Sequence, residues 1–358
     1  MNLFLNRRQV RVRGWQVIIG GDVDDMRIGI DKISVYDYQC SIDPRLKEVV
    51  ERENGVKEVA SIKRELFSMT YNYTLTETDE GLNETCFNKL TFNPNKILRG
   101  NNIQNSSIED LKKALEDLKS ILKKDGIIVD FTNAKIADIE INLNIPIDFN
   151  EYFEVFLLFA KQHINYAKGI YSITDAEKIS DFKYDESLFI PLSKNTTFKI
   201  YSKDRESNLP YKLTRLEYCL ETSSYKYQCE KYGVDNSLNY LLSSNNFIET
   251  LFRERLKKDF ILKMFDYLER EVKPLLENRY KIFKQNNALA RQTGRKEARD
   301  VYRYLEQYWV FDYTFLIELV EKYNSKNKGR EIKRIREKYS KHNNLQKLNF
   351  ILEIIFPH

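Results

Sequence analysis

The chain has 358 residues, of which 42% are hydrophobic and 31% are charged, so it is expected to fold and to form about two domains. The formal net charge of +5 is small for this length, so affinity for nucleic acid has to come from local clusters of basic residues. A disordered chain and a uniformly basic protein are therefore excluded.

Metal-binding and membrane signals are sparse. The four cysteines form no Cys-x-x-Cys pair and the three histidines never pair, so no disulfide framework or zinc site is expected. Any divalent ion would then have to bind carboxylates. No apolar run approaches the roughly 18 residues of a membrane span, and no secretory signal is present. The sequence predicts a cytoplasmic protein without a membrane partner.

The first strong strand is preceded by a basic segment. Arg7, Arg8 and Arg11 lie among apolar residues, which suits either an edge strand with a basic face or an arm on a phosphate backbone. The strand itself spans residues 26–36 and contains Asp31. A buried carboxylate there would need a partner or a metal. The favoured alternative places Asp31 on the wet face of a half-solvated sheet.

The next elements alternate in type. Residues 43–54 are predicted to form a helix that ends at Gly55, and residues 71–76 and 86–92 to form a hairpin. A capping box at Ser106–Glu109 begins a helix over residues 108–124.

A later strand carries an unusually polar face. Between residues 135 and 145, Asp138, Glu140, Asn142 and Asn144 point one way because side chains alternate along a strand. Two carboxylates and two amides on one face exceed what solvation of a sheet requires. An apolar helix over residues 150–166 follows and can cover the other face.

The segment Thr196–Glu221 reads as two strands joined by a loop, and it groups chemically active side chains. Arg215 and Glu217 share a face of the second strand, Tyr201 ends the first strand, and Lys203 follows it in the same hairpin. A phenol, cations and a carboxylate are what phosphoryl transfer requires. The alternative is a solvated hairpin with one surface ion pair.

Helices dominate from residue 243 onward. Residues 323–341 carry eight Lys or Arg against two Glu. A basic helix after Gly329 could read duplex DNA as in a helix-turn-helix, or could be a solvated charged helix. We therefore predict an α+β domain over residues 1–240 and a helical, basic domain over 241–358. The residues predicted to contact DNA are Arg7, Arg8, Arg11, Arg330, Lys333, Arg334 and Arg336.

Two motifs carry a family resemblance. The runs Phe198–Glu206 and Thr214–Tyr218 resemble the paired motifs of rolling-circle replication initiators of the filamentous-phage gene II type and of related plasmids. Ala137–Asn142 is similar to the carboxylate-bearing strand upstream of that pair. The resemblance covers roughly residues 26–235, and the His-x-His motif of many relatives is missing.

The predicted elements give a fold, and the resemblance implies a chemistry. The fold is α+β, with a mixed, mostly antiparallel sheet and packed helices, followed by an all-helical C-terminal domain. The implied activity is site-specific, metal-dependent nicking and joining of DNA through a tyrosine nucleophile, with Mg²⁺ or Mn²⁺ as the cofactor. Origin DNA, a host helicase and polymerase, and a homodimer are the implied partners.

Roles transfer residue by residue from the resemblance. Glu217 and Glu140 become metal ligands, with Asp138 or Asp31 as a third. The resemblance further implies Tyr184 or Tyr201 as the nucleophile and Lys203 and Arg215 as phosphate contacts. Two alternatives remain: a non-catalytic, sequence-specific DNA-binding protein of a plasmid or phage, and an RNA-binding or structural phage protein.

Overall fold

The structure is a computed structural model that describes residues 27–52, 55–78, 81–161, 187–244, 246–293, 313–323, 328–339 and 344–356. Tyr184 and the arginines at positions 7, 8 and 11 lie outside these ranges, so the predictions made for them stay predictions.

The described strands form a nine-stranded sheet and a separate two-stranded ribbon. The strands are β1 Gly29–Tyr36, β2 Gln39–Ile42, β3 Glu48–Arg52, β4 Gly55–Lys63, β5 Phe67–Thr78, β6 Gly81–Phe92, β7 Ile127–Asp130, β8 Lys135–Ile145, β9 Ser187–Ser193, β10 Thr196–Ser202 and β11 Thr214–Leu220. The large sheet has the order β3-β4-β5-β6-β1-β8-β11-β10-β9, and β2 pairs with β7 in the ribbon. Every strand pairing in the described ranges is antiparallel.

Helices lie between the strands and dominate after β11, which confirms the predicted α+β class and its helical C-terminal region. Two π-helical turns, Lys257–Ile261 and Leu268–Val272, interrupt the helical run after residue 246. The described helices are α1 Pro94–Arg99, α2 Ile108–Lys124, α3 Phe149–Lys161, α4 Lys203–Ser207, α5 Thr222–Tyr232, α6 Leu238–Ser243, α7 Phe247–Leu256, α8 Leu262–Tyr267, α9 Lys273–Thr293, α10 Tyr313–Tyr323, α11 Lys328–Tyr339 and α12 Asn344–Ile355.

Local sequence explains several of these elements. The Ser107 hydroxyl accepts from the Asp110 N–H and the Asp110 carboxylate accepts from the Ser107 N–H, so α2 begins with a capping box one residue later than the predicted Ser106–Glu109. The predicted hairpin of residues 71–76 and 86–92 is confirmed as part of β5 and β6.

The helix predicted over residues 43–54 is wrong. Asp43 caps a short 3₁₀ turn, Pro44–Leu46, and the chain then enters β3. Adjacent valines at 49 and 50 disfavour a helix because β-branched side chains lose rotamer freedom there. Pairing of β3 with β4 supplies the backbone hydrogen bonds that a helix would otherwise provide.

The core lies on one face of the sheet. Ile139, Ile141 and Leu143 of β8 are buried, as the alternation predicts. An aromatic cluster links this layer to the helices: Phe198 lies 4.6 Å from both Tyr218 and Phe260, measured between ring centroids. The polar residues of the same strands must therefore point to the opposite face.

The core continues past residue 240. The buried cluster of the sheet also includes Leu251 of α7, Phe260 of the first π-helical turn and Ile351 of α12. A second, smaller cluster includes Leu276 of α9 and Val320 of α10. The domain boundary at residue 240 stays a prediction. In the described ranges, every helix is too short or too polar to span a bilayer.

Candidate functional site

One face of the sheet carries a network of charged and polar side chains, here called the polar face. It is formed by Asp31, Lys32, Lys89, Asp138, Glu140, Asn142, Asn144, Lys199, Tyr201, Arg215, Glu217 and Cys219.

Strand register brings these residues together. In the β10–β11 pair, Lys199 lies opposite Glu217 and Tyr201 lies opposite Arg215. In the β11–β8 pair, Glu217 lies opposite Asn142. Because directly opposed residues point to the same side of a sheet, three strands present one continuous polar row.

Arg215 is the buried anchor of this row, with none of its surface exposed. Its Nη1 donates to Asp31 Oδ1 at 2.9 Å and its Nε donates to Asn144 Oδ1 at 2.8 Å. Its Nη2 donates to the carbonyl oxygens of Asn102 and Ile103 at 2.8 and 2.6 Å. A buried guanidinium is tolerated only when its donors are satisfied in this way. The predicted alternative, a solvated hairpin with a surface ion pair, is therefore wrong.

Asp31 reaches Arg215 through an irregularity in β1. The β1–β8 register shifts between Ile30 and Lys32, so Asp31 is the extra residue of a bulge. The carboxylate is almost fully buried, and the preferred alternative that placed it on a wet face is wrong. Burial raises the pKa of Asp31 to about 6 against the opposing effect of Arg215.

Glu217 is the second buried carboxylate. Its Oε1 accepts from Lys199 Nζ at 2.6 Å and from the Cys219 thiol at 3.4 Å, and its Oε2 accepts from the Tyr201 hydroxyl at 3.1 Å. Burial opposes ionisation, but the adjacent Lys199 ammonium outweighs it and holds the pKa of Glu217 below its usual value. Burial raises the pKa of Tyr201, so its hydroxyl stays protonated and donates.

Lys199 was not selected from the sequence, although it lies within the quoted motif. Its Nζ also lies 3.7 Å from Glu140 Oε1, so one ammonium bridges two carboxylates. Side chains alternate between the two faces of a strand, so residues 199 and 201 lie on the same face. This alternation could have identified Lys199 from the sequence.

Lys203 is the first residue of α4, directly after β10, and it is fully buried. Its Nζ donates to Glu206 Oε2 at 2.6 Å and to Asn102 Oδ1 at 3.0 Å. Asn102 therefore joins Lys203 to Arg215, because its side-chain oxygen accepts from Lys203 and its backbone carbonyl oxygen accepts from the Arg215 guanidinium. Burial, together with the charge of Arg215, lowers the pKa of Lys203.

Glu140 and Asp138 form the more exposed end of the polar face. Glu140 Oε1 lies 3.3 Å from Lys32 Nζ. Asp138 pairs with Lys89 and accepts from the backbone N–H of Thr222 at 3.2 Å. Each of the four predicted metal ligands has a cation beside it. Within the described residues only Glu140 and Glu217 come close enough to share an ion, whereas Asp31 and Asp138 do not belong to that group.

A possible metal-holding group exists within the described residues. One ligand atom from each of Glu140, Glu217 and Cys219 lies within 4.8 Å of the others. The two carboxylates suit Mg²⁺ or Mn²⁺, which prefer oxygen ligands. The Cys219 thiol suits them poorly, because burial raises its pKa and keeps it protonated. The Lys199 ammonium also lies between the carboxylates.

The basic helix predicted to bind DNA is α11. Arg330, Lys333, Arg334 and Arg336 all belong to it and all are exposed, whereas Ile335 is buried. Lys333 lies 3.8 Å from Glu337. The helix packs through its apolar side and presents a basic surface, and its role in DNA binding stays a prediction.

Comparisons with known proteins give little further identification. No protein-family model and no curated protein sequence matches this chain. Among solved structures, the chain is similar to the rolling circle replication initiator protein from Geobacillus stearothermophilus, at 11% sequence identity and a TM-score of 0.30. The similarity covers 65% of this chain and 85% of that protein. A similarity this low does not establish a shared function, so the chemistry of the polar face has to be inferred from its own residues.

Proposed function

We propose that this protein nicks and rejoins DNA at a replication origin, using a tyrosine nucleophile and a divalent cation at the polar face. The observation that carries the proposal is the cluster of Tyr201, Lys199 and Glu140 around the buried Glu217 carboxylate. It brings two carboxylates and a cation together on a partly exposed sheet face, and the Tyr201 phenol holds one of the carboxylates in place. Carboxylates that can hold a divalent ion and a cation that can offset charge on the phosphate are what phosphoryl transfer to a tyrosine nucleophile requires.

The motif resemblance supports the same reading. Tyr201, Lys203, Arg215 and Glu217 belong to the two motifs that resemble those of rolling-circle initiators. Tyr201 donates to Glu217, Lys203 and Arg215 both donate to Asn102, and the two groups are neighbours because Tyr201 lies opposite Arg215 in the β10–β11 pair. A hairpin that served only to fold the chain would not need a buried guanidinium joined to a buried lysine through Asn102.

The proposed reaction is a balanced exchange of phosphodiester bonds. A tyrosine oxygen attacks the phosphorus, the P–O3′ bond breaks, the phenolic proton passes to a base or to water, and the O3′ atom takes up a proton. The products are a 5′-phosphotyrosine and a 3′-hydroxyl, and the reverse attack by a 3′-hydroxyl rejoins the strand. A Mg²⁺ or Mn²⁺ ion held by Glu140 and Glu217 would polarise the phosphate.

The two candidate tyrosines differ in what surrounds them. The Tyr201 hydroxyl is nearly buried and already donates to Glu217, which suits a residue that positions this carboxylate. We therefore assign the nucleophilic role to Tyr184, which lies in a charged stretch of sequence outside the described residues.

The test uses negatively supercoiled plasmid that carries the origin of the replicon encoding the protein, incubated with Mn²⁺ and run on a denaturing gel. Wild type should yield a covalent protein–DNA species, and Glu217→Gln and Tyr184→Phe should not. The matched controls are Glu230→Gln, an exposed glutamate, and Tyr227→Phe, an exposed tyrosine, which should retain activity. Loss of the covalent species in Tyr201→Phe but not in Tyr184→Phe would reverse the assignment of the nucleophile.

A second function is sequence-specific DNA binding without cleavage, and the exposed basic surface of α11 favours it. Arg330→Gln combined with Arg336→Gln should weaken binding and reduce its dependence on salt concentration. Intact plasmid in every lane, together with a salt-sensitive mobility shift, would exclude the nicking activity and leave this second function.

A further inference from the structure

The polar face contains a cation of its own at the place where a metal ion would bind. The Lys199 Nζ lies 2.6 Å from Glu217 Oε1 and 3.7 Å from Glu140 Oε1. These two carboxylates are the oxygen donors of the possible metal-holding group. A divalent ion bound to both would be 2.0–2.6 Å from their oxygens, and so would come into contact with the ammonium.

We infer that Lys199 is an internal counter-cation that competes with a divalent metal ion for the position between Glu140 and Glu217. The inference rests on the proposed function in one respect only, namely that the ion bound at this site is a divalent metal. Two cations cannot share this position, because like charges at contact distance in a partly buried site repel strongly. Metal entry therefore requires the ammonium to leave.

The surroundings of Lys199 allow that exchange. Its side chain is 21% exposed, so the ammonium has a route to solvent when it leaves the carboxylates. The Glu217 side chain is only 2% exposed and also accepts from Tyr201, so this carboxylate stays in place. A fixed carboxylate with a movable counter-cation is the arrangement expected of a site that keeps its charge balanced with and without metal.

Lys32 provides a matched comparison on the same face. Its ammonium lies 3.3 Å from the same Glu140 oxygen, but its side chain is 49% exposed and, within the described residues, it forms no ion pair with Glu217. Removal of Lys32 takes one positive charge from Glu140 and leaves the position between the two carboxylates occupied. The two lysines therefore separate competition for a position from a general change in charge.

The experiment measures Mn²⁺ binding to the full chain in the absence of DNA, by electron paramagnetic resonance of free Mn²⁺. Lys199→Met should bind Mn²⁺ about tenfold more tightly than wild type, or better, because the competing charge is gone. Lys32→Met should differ from wild type by less than about threefold. Lys199→Met combined with Glu217→Gln should lose the gain.

A folded Lys199→Met protein with wild-type Mn²⁺ affinity would overturn the inference, as would an equal gain in Lys32→Met. A second measurement on wild type covers the case in which Lys199→Met does not fold. Acetylation of Lys199, followed by mass spectrometry, should increase when Mg²⁺ is added, whereas acetylation of Lys231 should not. Unchanged labelling of Lys199 at saturating Mg²⁺ would also overturn it.

These outcomes are independent of DNA cleavage. A gain of Mn²⁺ affinity in Lys199→Met with no nicking in any protein would support the counter-cation and exclude the proposed function. Nicking by wild type with unchanged Mn²⁺ affinity in Lys199→Met would support the proposed function and exclude the counter-cation.

Discussion

Two ion pairs on the polar face are made of similar groups but lie in different surroundings. The side chains of Arg215 and Asp31 are 0% and 8% exposed, whereas those of Lys89 and Asp138 are 34% and 32% exposed. Water can solvate the second pair when it opens, but not the first. The same kind of contact therefore fixes the structure at one end of the face and can be broken at small cost at the other.

The difference shows how one sheet face can be both rigid and adaptable. The buried end holds Arg215 with donors to a carboxylate, an amide and two carbonyls, which determines the positions of β1, β8 and β11 relative to each other. At the exposed end, the lysines at 32, 89 and 199 can rearrange around their carboxylates. A reaction on a phosphodiester would need both, a preorganised frame and cations that can move to the phosphate.

The largest expected effect comes from the buried pair. Arg215→Met should destabilise the protein by about 3–5 kcal/mol, because it leaves Asp31 buried without its cation and Asn144 without its donor. The free energy of unfolding in urea measures this loss. A loss no larger than that of Lys89→Met would show that burial does not distinguish the two pairs.

The pH dependence of stability tests the environment of Asp31. Its pKa in the folded protein is about 6, above the usual value of 3.8 for the unfolded chain. Between these two pKa values, the folded state keeps a proton on Asp31 that the unfolded chain has already lost. Asp31 therefore adds to the free energy of unfolding below pH 4, and this contribution is lost as the pH rises through 6. The expected loss is about 3 kcal/mol.

Asp31→Asn cannot titrate, so the comparison with wild type isolates this group. The difference in unfolding free energy, wild type minus Asp31→Asn, should fall by about that amount between pH 4 and pH 7, measured with EDTA present. A difference that stays constant over this range would mean that Arg215 holds Asp31 ionised at every pH tested.

An intermediate effect is expected at Tyr201. Tyr201→Phe removes the hydroxyl that donates to Glu217 Oε2, and the loss of a hydrogen bond to a buried charge should cost about 2 kcal/mol. Glu217 keeps Lys199 as its partner, so the effect should be smaller than that of Arg215→Met. Tyr227→Phe, at an exposed position, should leave the unfolding free energy unchanged, and equal losses in both variants would contradict the role of this hydrogen bond.

Much of the exposed and hairpin part of this site could be predicted from the sequence. Alternation along β8 and β11 places Asp138, Glu140, Arg215 and Glu217 on predictable faces, because the period of two is a local property. Lys199 could have been found in the same way. The misassigned segment, residues 43–54, failed because its helical and strand propensities are close and its pairing with β4 decides the outcome.

The buried anchor could not be predicted, because it depends on long-range order. Asp31 and Arg215 are 184 residues apart, and they meet only because β8 lies between β1 and β11 and because a bulge adds one residue at Asp31. The carbonyls of Asn102 and Ile103 come from a loop with no sequence signal for a guanidinium. Sequence alternation can identify a polar residue within an apolar strand, such as Asp31, but not whether that residue is buried or which group it pairs with.

The smallest expected effect is at the exposed pair. Lys89→Met removes the cation beside Asp138, yet Asp138 keeps the backbone N–H and the hydroxyl of Thr222 as donors. The loss in unfolding free energy should be about 0.5 kcal/mol or less, as for other partly exposed ion pairs. It should also shrink as NaCl is raised to about 1 M, because salt screens exposed charges. A loss that persists at high salt would place Lys89, and with it β6, in the rigid part of the polar face together with β1, β8 and β11.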